Sequence, residues 1–208
     1  SKTSMIQHEK FKFSNKQSVV IDNGFDTQKF YPSRSIGLAV RKKLNISKDQ
    51  IIFAHFGRFH PMKNHKGFLL AAIEILKINS QAHFLMAGQG VDEDNHELIN
   101  IIPNNFLSSF TMLGPRNDID ELMKAVDFLC VSSLWGEGFP NVICESMASG
   151  NYCISTNIGE SAYIIGSNGI VVDLNTKDEL FNAMKEVLSI SIDAVSYTHL
   201  TLPTTPYV

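Results

Sequence analysis

The sequence predicts an α/β protein built on a doubly wound parallel sheet, and three observations carry that prediction. Short apolar runs of strand character recur at 18–21, 51–56, 83–87, 110–113, 127–131, 153–155 and 170–172. Helical patterns fill most of the gaps: Phe68, Leu69, Ala72, Ile75 and Leu76 recur at helical spacing, as do Leu180, Met184, Val187 and Leu188. Loops marked by glycine follow several of the strand runs, at Gly57, Gly88, Gly114 and Gly136. Strands alternating with helices argue for a parallel sheet covered on both faces, and such a sheet gathers its ligand loops at the carboxyl ends of its strands.

Each element has a local reason. The run 18–21 reads as a strand, and Asn23-Gly24 after it as a tight turn. The run 51–56 reads as a buried strand, followed by a loop and an apolar helix over about 64–78. Gly88-Gln89-Gly90 after the third run is a turn signal and no evidence of a dinucleotide site. After 127–131, Gly136 and Gly138 free the backbone to turn, Pro140 opens a helix and Ser149-Gly150 closes it. Thr176 with Glu179 forms a capping box for the last helix.

Composition bounds the function classes. The chain has 208 residues, 44% of them hydrophobic and 19% charged, enough for one full core and no second domain. A formal net charge of −3 gives no basic footprint for nucleic acid. No apolar run approaches the roughly 20 residues that a membrane span needs. Cys130, Cys144 and Cys153 sit apart in apolar or helical stretches, which predicts reduced core thiols. The 7 histidines show no pair at ligand spacing with a third partner, and His60 reads as a loop residue that packs or faces water, with ligand contact as the lesser reading.

Two strand-loop-helix segments carry the chemistry. The first runs Gly136-Glu137-Gly138-Phe139-Pro140-Asn141-Val142-Ile143-Cys144-Glu145 and points a helix N-terminus at its own loop. Free amides there attract a diphosphate, while Glu137 and Glu145 can accept hydrogen bonds from hydroxyls on either side of it. That arrangement suits a sugar nucleotide. Acids near a helix start are also favoured by the helix dipole alone. The second segment is Gly57-Arg58-Phe59-His60-Pro61-Met62-Lys63, where a planar fork and a point charge on one loop can clamp the same diphosphate or stand as solvated cations.

These residues resemble the retaining glycosyltransferases of family four, which have the two-domain GT-B fold and carry a Glu, seven residues, Glu signature. The resemblance covers roughly 19–190. It implies a Rossmann-like doubly wound sheet, the C-terminal half of a GT-B enzyme. Glu137 is then implied beside the transferred sugar and Glu145 beside the ribose. Arg58 and Lys63 are implied to bind the diphosphate and steady the leaving group, so that no metal is needed. Gly57, Leu113, Arg116, Gly138, Phe139, Pro140, Asn141 and Val142 complete the implied donor site, with Leu113 and Arg116 near the base. The sequence departs from the family at Asn151-Tyr152, where a Pro is usual, and at Asn157 in the Thr156 to Gly159 loop, where an Asp is common.

The implied function is the donor-binding half of a transferase that moves a hexose from a nucleoside-diphosphate sugar to a hydroxyl acceptor. An isomerase of sugar nucleotides with the same fold is an alternative, as is a nucleotide-binding module without catalysis. A glycogen phosphorylase ranks last, because no motif marks its pyridoxal cofactor. The segment Val19-Val20-Ile21-Asp22-Asn23-Gly24-Phe25-Asp26 resembles the family's entry into its C-terminal domain. The domains are therefore expected as 1–17, the end of a preceding domain or linker; 18–192, the donor-binding domain; and 193–208, a non-native or disordered tail. Within that tail 195–204 resembles a translated sequencing adapter. The acceptor, a glycan, lipid or other hydroxyl compound, is expected on the preceding domain. Localisation is expected to be cytoplasmic, with peripheral association at the inner membrane face open.

Overall fold

The computed structural model describes residues 1–14, 17–21, 23–174, 176 and 178–189. Its centre is a six-stranded, all-parallel sheet of β1 (Ile51–Phe56), β2 (Ala82–Ala87), β3 (Phe110–Met112), β4 (Phe128–Val131), β5 (Tyr152–Thr156) and β6 (Gly169–Val172), in the order β3-β2-β1-β4-β5-β6. Helices α1 (Lys2–Lys10), α2 (Arg34–Lys43), α3 (His65–Ile78), α4 (His96–Ile99), α5 (Ile119–Met123), α6 (Asn141–Ala148), α7 (Ser161–Ile165) and α8 (Glu179–Val187) surround it. The doubly wound parallel sheet expected from the sequence is what the chain forms.

The central strands read as continuous apolar runs because both faces are covered. Alternate residues go to opposite sides. Phe53, Phe84 and Phe128 pack with Phe68 and Ile75 of α3 and Met184 of α8, while Ile52, Leu85 and Leu129 pack with Val40 of α2, Met123 of α5 and Ile143 of α6. The Phe53 ring lies 5.0 Å from Phe128 and 5.7 Å from Phe84, so three adjacent strands share one aromatic row.

Chain order reverses between β1 and β4: β2 and β3 extend to one side of β1, and β4 to β6 to the other. This is a topological switch point, the place in such a sheet beside which ligand crevices lie. Both charged loops singled out in the sequence leave these two strands.

Three local expectations fail. Residues 18–21 form no strand; Val19 and Ile21 are 81% and 82% exposed, and the sheet ends at β3 and β6 without them. Apolar residues alone do not make a strand without a ladder partner. The turn lies at 27–29 instead of at Asn23-Gly24, because the Asp26 carboxylate accepts from Gln28 N–H at 2.9 Å and its carbonyl from Phe30 N–H at 2.9 Å. The last helix begins at Glu179 with Asp178 at its N-cap, so no Thr176 capping box forms. The adapter-like stretch 195–204 lies outside the described residues.

Candidate functional site

The first wall of the crevice is the loop after β1. Gly57 N–H donates to Ala87 O at 2.9 Å and Phe59 N–H to Gln89 O at 2.7 Å, tying this loop to the one after β2. Gly88, at φ +154°, lies so close that a Cβ on it would stand 2.1 Å from Gly57 O, so only glycine fits. His60 is exposed, and its Nδ1 accepts from Met62 N–H at 3.2 Å, starting the 3-10 turn Pro61–Lys63. It makes the turn, in keeping with its reading as a loop residue. Asn64 then caps α3 by accepting Gly67 N–H at 3.1 Å.

The second wall is the loop after β4, and hydrogen bonds zip it to the first. Leu134 N–H donates to Met62 O at 2.8 Å, and the buried Ser132 hydroxyl donates to Lys63 O at 2.8 Å. Glu137 Oε1 accepts from Lys63 Nζ at 2.5 Å and from Ser133 Oγ at 2.6 Å. The structure therefore places two sequence-predicted residues, Lys63 and Glu137, in direct contact. The loop after β5 supports Glu137 from behind. Glu160 N–H donates to Gly138 O at 3.0 Å, and a Cβ on Gly159 (φ +64°) would stand 2.4 Å from Glu137 O. Thr3 of α1 reaches the same loop, its N–H donating to Glu160 Oε1 at 2.7 Å.

Beside these joined loops lies a cleft of about 300 Å³, lined by Phe56, Gly57, Gly88, Gln89, Arg116 and Glu145 among others, with Ile119 and Val142 adding apolar surface. Four sequence-predicted residues, Gly57, Arg116, Val142 and Glu145, share it. Glu145, half-buried in α6, has its carboxyl pKa raised by burial, partly countered by Lys29. Arg58 is exposed and makes no hydrogen bond or ion pair with the described residues.

The remaining predicted residues have structural partners. The Arg116 fork grips Asp118, Nε to Oδ1 at 2.7 Å with Nη2 on Oδ2, and this bonding holds the Asp118 carboxyl below its ordinary range. Leu113 packs on the core behind the cleft and bridges to Asp92. Phe139 stacks on Phe25 with centroids 6.1 Å apart, Pro140 is buried as the N-cap of α6, and Asn141 Oδ1 accepts from Asn23 Nδ2 at 2.6 Å. The segment before the sheet thus braces the start of α6.

Sequence reasoning missed His55, Ser132 and Ser133, which join the two loops, and His65, whose Nε2 lies 3.3 Å from Gly57 O. The available signals were a histidine inside the apolar run 51–56 and a serine pair directly after 127–131. The cysteines are buried free thiols; burial pushes Cys144 and Cys153 up to about 12 and raises Cys130 further, so they stay protonated at neutral pH. Among the described residues no group of His, Cys, Asp or Glu side chains is placed to hold a metal ion, and no helix is long and apolar enough to cross a membrane.

Comparison with known proteins agrees with this geometry. Residues 50–189 match the family model "Glycosyl transferases group 1". The chain is 33% identical over 178 residues to the UDP-Gal:alpha-D-GlcNAc-diphosphoundecaprenol alpha-1,3-galactosyltransferase of Escherichia coli, a match spanning 81% of this chain and 44% of the relative. It therefore spans less than half the length of that relative. Among solved structures, Anabaena Alr3699/HepE in complex with UDP and glucose superposes with a TM-score of 0.83 at 24% identity, over 94% of this chain and 55% of that one. The C-terminal domain of the Francisella tularensis glycosyl transferase group 1 family protein LpcC superposes with a TM-score of 0.69 at 26% identity, covering 84% of this chain and 91% of that domain. The chain belongs to the glycosyl transferases group 1 and has the Rossmann-like fold of their C-terminal GT-B domain.

Proposed function

We propose that this chain is the donor-binding domain of a retaining glycosyltransferase, which moves a hexose from a nucleoside-diphosphate sugar to a hydroxyl acceptor without a metal ion. The observation that carries the reading is the crevice at the β1/β4 switch point. There a phosphate-seeking loop and a helix N-terminus converge on a cleft that already holds Gly57 and Glu145. The Escherichia coli relative is named for UDP-Gal, and the Anabaena structure was solved with UDP and glucose, so UDP is the nucleotide to test first.

Each residue then has a physical task. Glu145 accepts hydrogen bonds from the ribose hydroxyls. Arg58, exposed at the rim, supplies a bidentate fork to the diphosphate. Lys63 spends one of its three donors on Glu137 and keeps the others for phosphate oxygens. With the α6 N-terminus these cations offset the charge that develops on the departing diphosphate. Glu137, fixed by Lys63 and Ser133, orients the sugar and does not attack it; the acceptor's proton passes to the leaving phosphate on the same face. Gly138, Phe139, Pro140, Asn141 and Val142 shape the wall along the sugar and diphosphate, and Leu113 and Arg116 flank the base. The acceptor, a glycan, lipid or other hydroxyl compound, binds on the part of the enzyme outside this chain. That part decides between transfer and isomerisation. This chain by itself binds the donor without turning it over. The full enzyme works in the cytoplasm, at the inner membrane face when its acceptor is a lipid.

Calorimetric titration of the chain with UDP, GDP and ADP in the presence of a chelator tests the reading. Selective binding of one nucleotide, weakened at least about tenfold in both Arg58→Ala and Glu145→Ala, is the expected result, corresponding to the loss of one charged hydrogen bond. A folded wild-type chain that binds none of the three would overturn it.

A further inference from the structure

Beneath the loop that carries Arg58 and Lys63 lies a buried pair of imidazoles, His55 on β1 and His65 at the start of α3. Each is 2% exposed, and their ring centroids are 4.5 Å apart. His65 Nε2 lies 3.3 Å from Gly57 O, and His55 Nε2 lies 3.2 Å from Lys63 O. Those two carbonyls bracket residues 58–63. We infer that His55 and His65 are positioning residues for the diphosphate-binding loop, each holding one of its two bracketing carbonyls so that Arg58 and Lys63 are presented to the crevice. This rests on the donor-domain reading for its ligand, but the loop geometry can be tested without it.

Three features support the assignment. A carbonyl only accepts, so holding it requires each ring to carry its proton on Nε2; each Nδ1 is then a buried lone pair without a partner among the described residues. A leucine at either site would bury as well and strand no nitrogen, so packing alone does not call for histidine. Burial draws His55 down to about 3 and His65 to about 4, with the Lys63 charge adding to both effects. A neutral donor is what this place requires: lysine or arginine would hold the carbonyls but set a second positive charge under Lys63. The Ser132 hydroxyl donates to Lys63 O beside His55, so the β4 loop shares the same anchor. The planar trans peptide also fixes a direction. With Gly57 O turned toward His65, the Arg58 N–H points to the opposite side.

The test compares His55→Leu and His65→Leu with His55→Gln and His65→Gln in the full chain. Glutamine can donate to a carbonyl through its amide, whereas leucine cannot. Two readouts are used: amide hydrogen exchange at Phe59 and Leu134, whose N–H groups bond across the loops, and calorimetric affinity for UDP. In each leucine variant, exchange at these two amides should rise by about tenfold or more while β5 amides keep their protection. UDP should bind about tenfold more weakly in the leucine variants, and glutamine should restore both readouts to within about threefold. Unchanged exchange and affinity in the folded leucine variants, or no rescue by glutamine, would overturn the proposal. If a leucine variant fails to fold, Ser132→Ala, which removes a donor from Lys63 O, must raise Leu134 exchange or the proposal falls. A wild-type chain that binds no nucleotide defeats the donor-domain reading, and the exchange data still decide the role of the histidines.

Discussion

Two ion pairs stand at opposite ends of the same sheet, and their difference separates structure from function. Arg41 and Asp127 lie at the amino ends of the strands, and Lys63 and Glu137 at the carboxyl ends. Burial does not distinguish them, since the side chains are 10% and 13% exposed in one pair and 18% and 11% in the other. Saturation does. Arg41 Nη2 donates to Asp127 Oδ2 at 2.7 Å, its Nη1 to Gln50 O at 2.6 Å and its Nε to Ala125 O at 2.9 Å, while Ile52 N–H adds a second bond to Asp127 at 2.7 Å. At each carboxylate both donors converge on one oxygen, Oδ2 of Asp127 and Oε1 of Glu137, so the difference lies in the cations: among the described residues Lys63 Nζ bonds Glu137 alone. The first network is closed and spends its charge on holding β1, β4 and α2 together. The second leaves two of the three Lys63 donors without a partner among the described residues, and such capacity is what a ligand can use.

The largest expected effect concerns acid, and it involves both ends. His55 and His65 lie under the open pair, and His83, held down to about 4 by burial and then by Arg41, lies near the closed one. Buried neutral histidines bind fewer protons when folded than when unfolded. Their stabilisation is therefore complete above the unfolded pKa near 6.5 and is lost as pH falls toward the folded values of about 3 to 4. Each imidazole contributes up to about 1.4 kcal/mol per pH unit in that window, or roughly 2 kcal/mol at pH 5. Urea denaturation between pH 7 and pH 5 should show a loss of several kcal/mol, and His83→Gln should flatten the slope by about a third. A stability that is level across this range would mean that the rings are charged or hydrated in the fold.

Next in size is the closed pair. Asp127→Ala leaves a guanidinium buried without its carboxylate, and breaking a buried pair in this way costs about 3–5 kcal/mol. Burial already raises the Asp127 carboxyl pKa against the pull of Arg41, which marks the site as one that tolerates no uncompensated charge. The urea midpoint should fall accordingly, while the folded fraction keeps its nucleotide affinity, because the crevice lies at the far end of the strands. An Asp127→Ala chain as stable as the wild type would erase the distinction between the two ends.

The sequence showed the open end better than the closed one, for a physical reason. Loops that bind ligands are built from glycine, proline and charge, and these stand out as Gly57-Arg58 or Gly136-Glu137-Gly138 against apolar strands. Strand positions were legible to within a residue or so because both faces are buried, so the apolar runs are nearly continuous. Arg41, Asp127, His55, His65 and Ser132 were not legible as partners. They meet across 8 to 86 positions of sequence, and no local pattern encodes a contact between distant segments. The false strand at 18–21 has the same origin: apolar composition was visible, but the lack of a neighbouring strand was not. Glu137 and Lys63 were each visible as loop charges, yet their mutual contact emerges only once β1 and β4 are adjacent.

The smallest effect on stability belongs to the open pair, and it is the sharpest test of the comparison. In Lys63→Ala, Glu137 keeps its bond from Ser133 Oγ at 2.6 Å. The loss should then stay below that of Asp127→Ala, at about 1.5–3 kcal/mol for one charged hydrogen bond, because Glu137 keeps a donor. On the proposed reading, in which Lys63 donates to the diphosphate, nucleotide affinity should behave in the opposite way and fall by about ten- to a hundredfold. Urea denaturation and calorimetry on the same variant separate the two. A loss of 3 kcal/mol or more, of about the size set out for a broken buried pair, would make Lys63–Glu137 a second structural clamp. A small loss with intact nucleotide binding would place the diphosphate elsewhere. A small loss with binding abolished would mean that the sheet keeps its strength at one end and its chemistry at the other.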